Sequence, residues 1–151
     1  MLGKYSIQSL TFPRSRQGNN LNGYIPSSLY SLPRLDSIHI TRNPNLVVNL
    51  DDMTQSPYAA NFVHINVHNN ILNGNINNFI NMPDLRYLDI SCYTDANLDD
   101  CTATGDTSFV LSLPRLEALR VGGHAGVVVN LSHLENSPLL TQVYALDSYV
   151  E

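Results

Sequence analysis

The side chains best placed to do chemistry are His39, His64, His68, Asp89 and Arg120. Imidazole ligates zinc when neutral and exchanges a proton near physiological pH, while a carboxylate serves either purpose. The spacing weighs against a metal. His64 and His68 stand four residues apart, so on a strand both project from one face but about 13 Å from each other. Zinc needs each nitrogen at about 2.1 Å from one ion. A pH-sensitive polar patch, or plain surface histidines, fits these residues better than a metal centre. Asp89 and Arg120 are candidates for an ion pair between strands, a contact that contributes about 0–1 kcal/mol when exposed.

A second group of reactive residues lies between Cys92 and Asp106. Cys92 and Cys101, the two cysteines of the chain, form a disulfide in an oxidising compartment and remain two free thiols in a reducing one. Asp95, Asn97, Asp99 and Asp106 have the oxygen spacing of a calcium loop, but Asp100 stands where such loops need Gly and Asp106 where they need Glu. A solvated acidic loop is the better description. Asn130-Leu131-Ser132 is an N-glycosylation acceptor pattern, relevant in a secreted chain. No Gly-x-Ser-x-Gly elbow or His-Glu-x-x-His pair occurs, and Gly122-Gly123-His124-Ala125-Gly126 lacks the lysine of a phosphate loop. The sequence names no catalytic residue, resident metal or cofactor, so the expectation is a protein that is not an enzyme.

These side chains have to be carried by elements, and the elements repeat. Ile7–Phe12, Leu35–Ile40, Phe62–Val67, Leu85–Ile90, Leu116–Val121 and Leu140–Ala145 each have apolar residues at their first, fourth and sixth positions. Their last residues, at 12, 40, 67, 90, 121 and 145, recur every 23 to 31 residues, the period of a solenoid. Residues 62–90 add Asn70, Leu72, Gly74, Ile76, Phe79 and Met82; residues 19–35 add Asn19, Leu21, Gly23, Ile25, Pro26, Leu29 and Leu32. This pattern, Leu-x-x-Leu-x-Leu-x-x-Asn-x-Leu-x-Gly-x-Ile-Pro, resembles plant-type leucine-rich repeats over nearly the whole chain. The resemblance implies an α/β solenoid of about six repeats, with a parallel concave β-sheet and short 3₁₀ or irregular convex segments. Residues 1–151 then form one repeat domain or a segment of a longer array. The copies diverge. Leu46–Pro57 and Val127–Pro138 lack Gly-x-Ile-Pro, and Tyr93 and His124 replace the turn asparagine, which predicts breaks in an asparagine ladder there.

Alternation along each short strand buries Ile38, Ile40, Ile65, Val67, Leu88, Ile90, Leu119 and Val121. It turns Thr11, His39, Asn66, Asp89, Arg120 and Tyr144 outward in one column. Ser9, Ser37, His64, Tyr87, Ala118 and Gln142 form a second column, and Pro13, Thr41, His68, Ser91, Gly122 and Leu146 a third. Leu29 with Leu32, and Phe79 with Met82, have the spacing of short helical turns packed inward. The many asparagines, Asn75, Asn77 and Asn78 among them, fit turn chemistry.

A surface that is polar, mixed and aromatic suits recognition. The expected site is His39, His64, Asn66, His68, Tyr87, Asp89, Arg120 and Tyr144, and the resemblance implies a protein, peptide or glycan ligand there. A merely solvated sheet face is the alternative. A net charge of −5 without a basic run argues against nucleic acid. No apolar stretch reaches the roughly 18 residues of a membrane span. Receptor ectodomains and secreted defence proteins carry such repeats, so the expected location is extracellular or cell-surface, with the cytoplasm as the alternative. The chain opens almost at once on strand-like Ile7 and closes within a repeat, which predicts apolar ends. A longer array, or copies of the chain meeting end to end as a structural assembly, would cover them.

Overall fold

The computed structural model describes residues 7–12, 20–92, 101–145 and 149–150. The elements in chain order are β1 (Ser9–Thr11), β2 (Asn22–Tyr24), α1 (Ser27–Tyr30), β3 (Ser37–His39), β4 (Asn43–Asn49), α2 (Leu50–Thr54), β5 (His64–Asn66), β6 (Asn70–Asn73), β7 (Tyr87–Asp89), β8 (Thr104–Asp106), α3 (Thr107–Val110), β9 (Ala118–Arg120), β10 (Gly126–Val129), β11 (Gln142–Tyr144) and β12 (Tyr149–Val150). Short 3₁₀ turns at Ala59–Asn61, Ile76–Asn81 and Leu134–Asn136 complete the convex side.

One six-stranded parallel sheet runs β1-β3-β5-β7-β9-β11. Its register puts Thr11, His39, Asn66, Asp89, Arg120 and Tyr144 opposite one another in succession. The eight aliphatic residues expected under it are all buried. They join Leu35, Phe62, Leu85 and Leu116 in a continuous apolar core. The convex side is more ordered than the expected irregular connections. It holds two further three-stranded parallel sheets, β2-β4-β6 and β12-β10-β8. The isolated bridges Leu72–Cys101 and Asn75–Thr104 link the end of the first to the start of the second. In α1 the buried anchor is Tyr30, with Leu29 and Leu32 only partly covered; Phe79 and Met82 are buried as expected.

The internal ladder begins as the asparagines dictate. Asn70 donates its amide to the carbonyls of Ile40 and Val67, both at 2.7 Å, and accepts from the Asn43 backbone at 3.1 Å. Such side-chain bonds satisfy carbonyls that the tight turn leaves inside the solenoid. The break expected at His124 does not occur. His124 is buried, and its Nε2–H donates to the Ile90 carbonyl at 2.7 Å, the same bond that Asn70, two turns earlier, makes to Ile40. An imidazole N–H reaches the carbonyl as an amide does. Burial pushes His124 below the ordinary imidazole pKa, against the pull of the Ile90 and Cys101 backbone, so the ring is held neutral. The other expected break, Tyr93, lies outside the described residues, as do Asp95, Asn97, Asp99 and Asp100 of the insert and Pro13 and Leu146 of the third column.

Candidate functional site on the concave sheet

Cys92 and Cys101 bracket the insert and are joined by a disulfide, with Cα atoms 6.1 Å apart, an ordinary separation for the bond. Both cysteines are buried, not in a surface loop. The bond ties the turn after β7 to the edge of the β2-β4-β6 sheet, where Cys101 pairs with Leu72. Gly123 serves the same junction. Its φ is +85°, and a Cβ there would collide with the Cys92 carbonyl, so only glycine lets the two turns approach.

On the concave face the eight expected residues come together as two interlocked sets. The first is a stack along the sheet. The His39 and His64 rings lie 4.8 Å apart, tilted, and the His64 and Tyr87 rings lie 4.4 Å apart and nearly parallel. The Arg120 guanidinium then sits 5.9 Å from the Tyr87 ring centre and 4.9 Å from that of Tyr144. These residues occupy five successive strands, and the strand spacing of about 4.8 Å is what brings them into stacking range. Burial, and then the neighbouring His39, lower the His64 pKa, which favours its neutral form.

The second set is a hydrogen-bonded chain beneath the stack. Asp89 accepts from the Ser91 backbone at 3.1 Å and the Ser91 hydroxyl at 2.6 Å, with the Tyr87 hydroxyl at 3.4 Å. His68 Nδ1 lies 3.5 Å from Asp89 and 2.8 Å from Asn66 Oδ1, while Asn66 Nδ2 lies 3.0 Å from His39 Nε2. An amide oxygen only accepts and an amide nitrogen only donates. His68 therefore carries its proton on Nδ1, and His39 offers the lone pair of Nε2.

Two expectations need correction. Asp89 is 3% exposed and Asn66 is buried with it, because Ser91 and the flanking aromatic rings close over them. The Asp89–Arg120 pair is consequently not an exposed one: it joins a buried carboxylate to a half-exposed cation, and at 3.9 Å it is too long for a hydrogen bond.

Asn130, the residue of the glycosylation pattern, sits on the convex side. It follows β10, where its Oδ1 accepts from Ser132 N at 3.0 Å and its Nδ2 donates to Asp106 at 3.3 Å. It ends a convex ladder that sequence reading missed. Asn49 caps α2, Asp51 holds Asn75 and Asn78, Asn77 accepts from Asp106 N, and Asp106 caps α3. Asp106, the last oxygen of the calcium-like pattern, is thereby committed to a helix cap. Burial alone would raise its pKa, but its bonds from Ser108 and Asn130, with His133 nearby, hold it below the usual carboxylate value. Asn or Asp directly before α2, the Ile76–Asn81 turn and α3 was the available signal.

Among the described residues no helix is long and apolar enough to cross a membrane. No family model matches the sequence, and no curated protein matches it either. In three dimensions the chain is similar to the leucine-rich repeat ectodomain of the receptor kinase SOBIR1 from Arabidopsis thaliana. That likeness has a TM-score of 0.67 at 21% identity and covers 88% of this chain and 67% of that one. With the sheet order and the turn ladder, it shows that this chain folds as a leucine-rich repeat solenoid.

Proposed function

We propose that this chain is a non-enzymatic recognition module that holds a protein, peptide or glycan ligand on its concave sheet. One observation carries the reading. Side chains from five consecutive strands, His39, His64, Tyr87, Arg120 and Tyr144, are fixed against one another instead of lying loose in solvent. A preorganised surface loses little side-chain entropy when it binds, and tyrosine and arginine are the residues that dominate binding hot spots. The disulfide and the likeness to a receptor ectodomain support an extracellular or cell-surface location over a cytoplasmic one.

The test is a selection of peptide, glycan and secreted-protein libraries on the immobilised chain. Recovered binders are then measured on a variant with Tyr87→Ser, Arg120→Ser and Tyr144→Ser, and on a convex control, Phe109→Ser. Binders that weaken at least about tenfold on the first and hold on the second support the reading. Binders that lose affinity only on the convex control, or no binders from any library, overturn it.

A second reading, stacking of copies end to end, is favoured by a different surface. The final described repeat exposes Leu131, Leu134 and Val143, whose counterparts Leu50, Met53 and Leu119 are buried by the following repeat. Sedimentation against concentration tests it. Growing mass that Leu131→Asp abolishes supports it, and a constant monomer mass ends it.

A further inference from the structure

We propose that the concave site is a carboxylate receptor centred on Arg120, selective for acidic peptide segments and tighter at acidic pH. This rests on the concave-face reading and narrows it to one ligand chemistry.

The stack explains why. A sugar packs on the open face of an aromatic ring, but here both faces of His64 and Tyr87 and the inner face of Tyr144 are taken up within the stack. His64 lies between His39 and Tyr87, and Arg120 between Tyr87 and Tyr144. What the stack leaves for a ligand is the open edge of the Arg120 guanidinium, beside the exposed Tyr144. A guanidinium only donates hydrogen bonds, and a ligand that only accepts them is an oxyanion.

Arg120 is the centre because it is held by rings and not by acids. Among the described residues, none hydrogen-bonds its guanidinium; its Nε is buried without a partner, and the nearest carboxylate oxygen is 3.9 Å away on Asp89. Asp89 does not need it, since Ser91 and Tyr87 already bond that carboxylate. The side chain is nonetheless 40% exposed, so its outer edge is open to a ligand. A planar fork with free donors matches the two oxygens of a carboxylate.

Charge balance supplies the pH dependence. The groups facing the site are His39 from β3, His64 and His68 from β5 and the turn after it, Tyr87 and Asp89 from β7, Arg120 from β9 and Tyr144 from β11. With neutral imidazoles, Asp89 offsets Arg120 and the patch attracts anions weakly. Protonating imidazole in acid adds positive charge to the patch, and His64 resists it because burial and His39 favour its neutral form. The flanking pairs, Arg86–Glu117 at 3.1 Å and Arg115–Asp84 at 2.8 Å, are self-neutralising and lie on the exposed margin.

Three tripeptide probes separate the sources of the carboxylate. They are acetyl-Ala-Glu-Ala amide, acetyl-Ala-Gln-Ala free acid and acetyl-Ala-Gln-Ala amide, titrated into the isotope-labelled chain while the Arg120 Nε–H resonance is followed. The two acids should shift that resonance and saturate, and the neutral amide should not. Whichever acid binds more tightly identifies a side-chain or a C-terminal carboxylate as the natural group. Affinity should rise at least about threefold between about pH 7.5 and about pH 5.5. Arg120→Gln should weaken it at least about tenfold, Arg120→Lys should restore part of it, and Arg86→Gln should leave it unchanged. Equal binding of the neutral amide, a flat pH profile, or undiminished binding by Arg120→Gln overturns the proposal. If library binders survive Arg120→Gln yet are lost with Tyr87→Ser and Tyr144→Ser, the recognition face stands and the carboxylate subsite falls.

Discussion

Leu46–Pro57 and Val127–Pro138 share one sequence plan and end in different surroundings. Each runs through Val-Val-Asn-Leu to a hydrophobic residue three places on and closes on Ser-Pro. The local chemistry is the same in both. Asn49 accepts from Asp51 N at 2.9 Å, and Asn130 accepts from Ser132 N at 3.0 Å. Ser56 donates to the Tyr30 carbonyl, and Ser137 to the Leu111 and Leu113 carbonyls of the preceding repeat. The burial differs. Leu50 and Met53 are fully covered, because α2 packs between α1 and the Ile76–Asn81 turn; Leu131 and Leu134 are 40% and 41% exposed. The first stretch forms an α-helical turn and the second only a 3₁₀ turn. Caps and turns are thus written locally, whereas burial comes from the next repeat, as expected where stability is a sum of units and nearest-neighbour interfaces.

The largest test of that contrast is a pair of truncations. Leu50→Ala should cost about 2–5 kcal/mol, the range for a buried leucine, while Leu131→Ala should stay within about 0.5 kcal/mol, as for exposed positions. Urea unfolding of both variants checks it. Equal losses would mean that Leu131 is covered in solution, which is what stacking of copies requires.

A smaller pair reverses the order. Ser137 is buried and Ser56 only partly so. Ser137→Ala removes the hydroxyl donor of the Leu111 carbonyl and leaves the Leu113 carbonyl only the Leu116 N–H, and should cost about 1–3 kcal/mol; Ser56→Ala should cost about 0.5–1.5 kcal/mol. A negligible loss at Ser137 would show that the outer repeat is loosely held and that its caps do not depend on the preceding repeat.

What could be read from sequence follows the same division. The six concave strands are legible residue by residue, because Leu-x-Leu alternation fixes which side chain faces which way, and the register of His39, Asn66 and Asp89 follows from it. The ring stack is half legible: His64 and Tyr87 share a column, but whether rings turn toward each other is decided by packing. The burial of Asp89 was not legible, since it depends on Ser91 and Tyr87 closing over the carboxylate. Nor were the convex sheets, whose strands Asn22–Tyr24 and Gly126–Val129 are too short to show a period and exist because neighbouring repeats pair with them.

The finest version of the contrast lies inside the solenoid, where Asn70 and His124 make the same bond in different repeats. At neutral pH His124→Asn should be nearly silent, since either donor satisfies its carbonyl. Acid separates them. Burial holds the folded pKa of His124 below its unfolded value, so above the unfolded value both states are neutral and stability is independent of this group. As pH falls through about 6.5 the unfolded chain takes up a proton that the folded chain resists, and stability drops. His64, lowered by burial and by His39, adds a loss of the same sign. His124→Asn should therefore lose less stability than the parent between about pH 7.5 and about pH 5.5, keeping the part due to His64. Urea midpoints at the two pH values measure this. An unchanged pH dependence in the variant would show that His124 does not carry its share, and that the ring fills its slot by shape instead of by its neutral N–H.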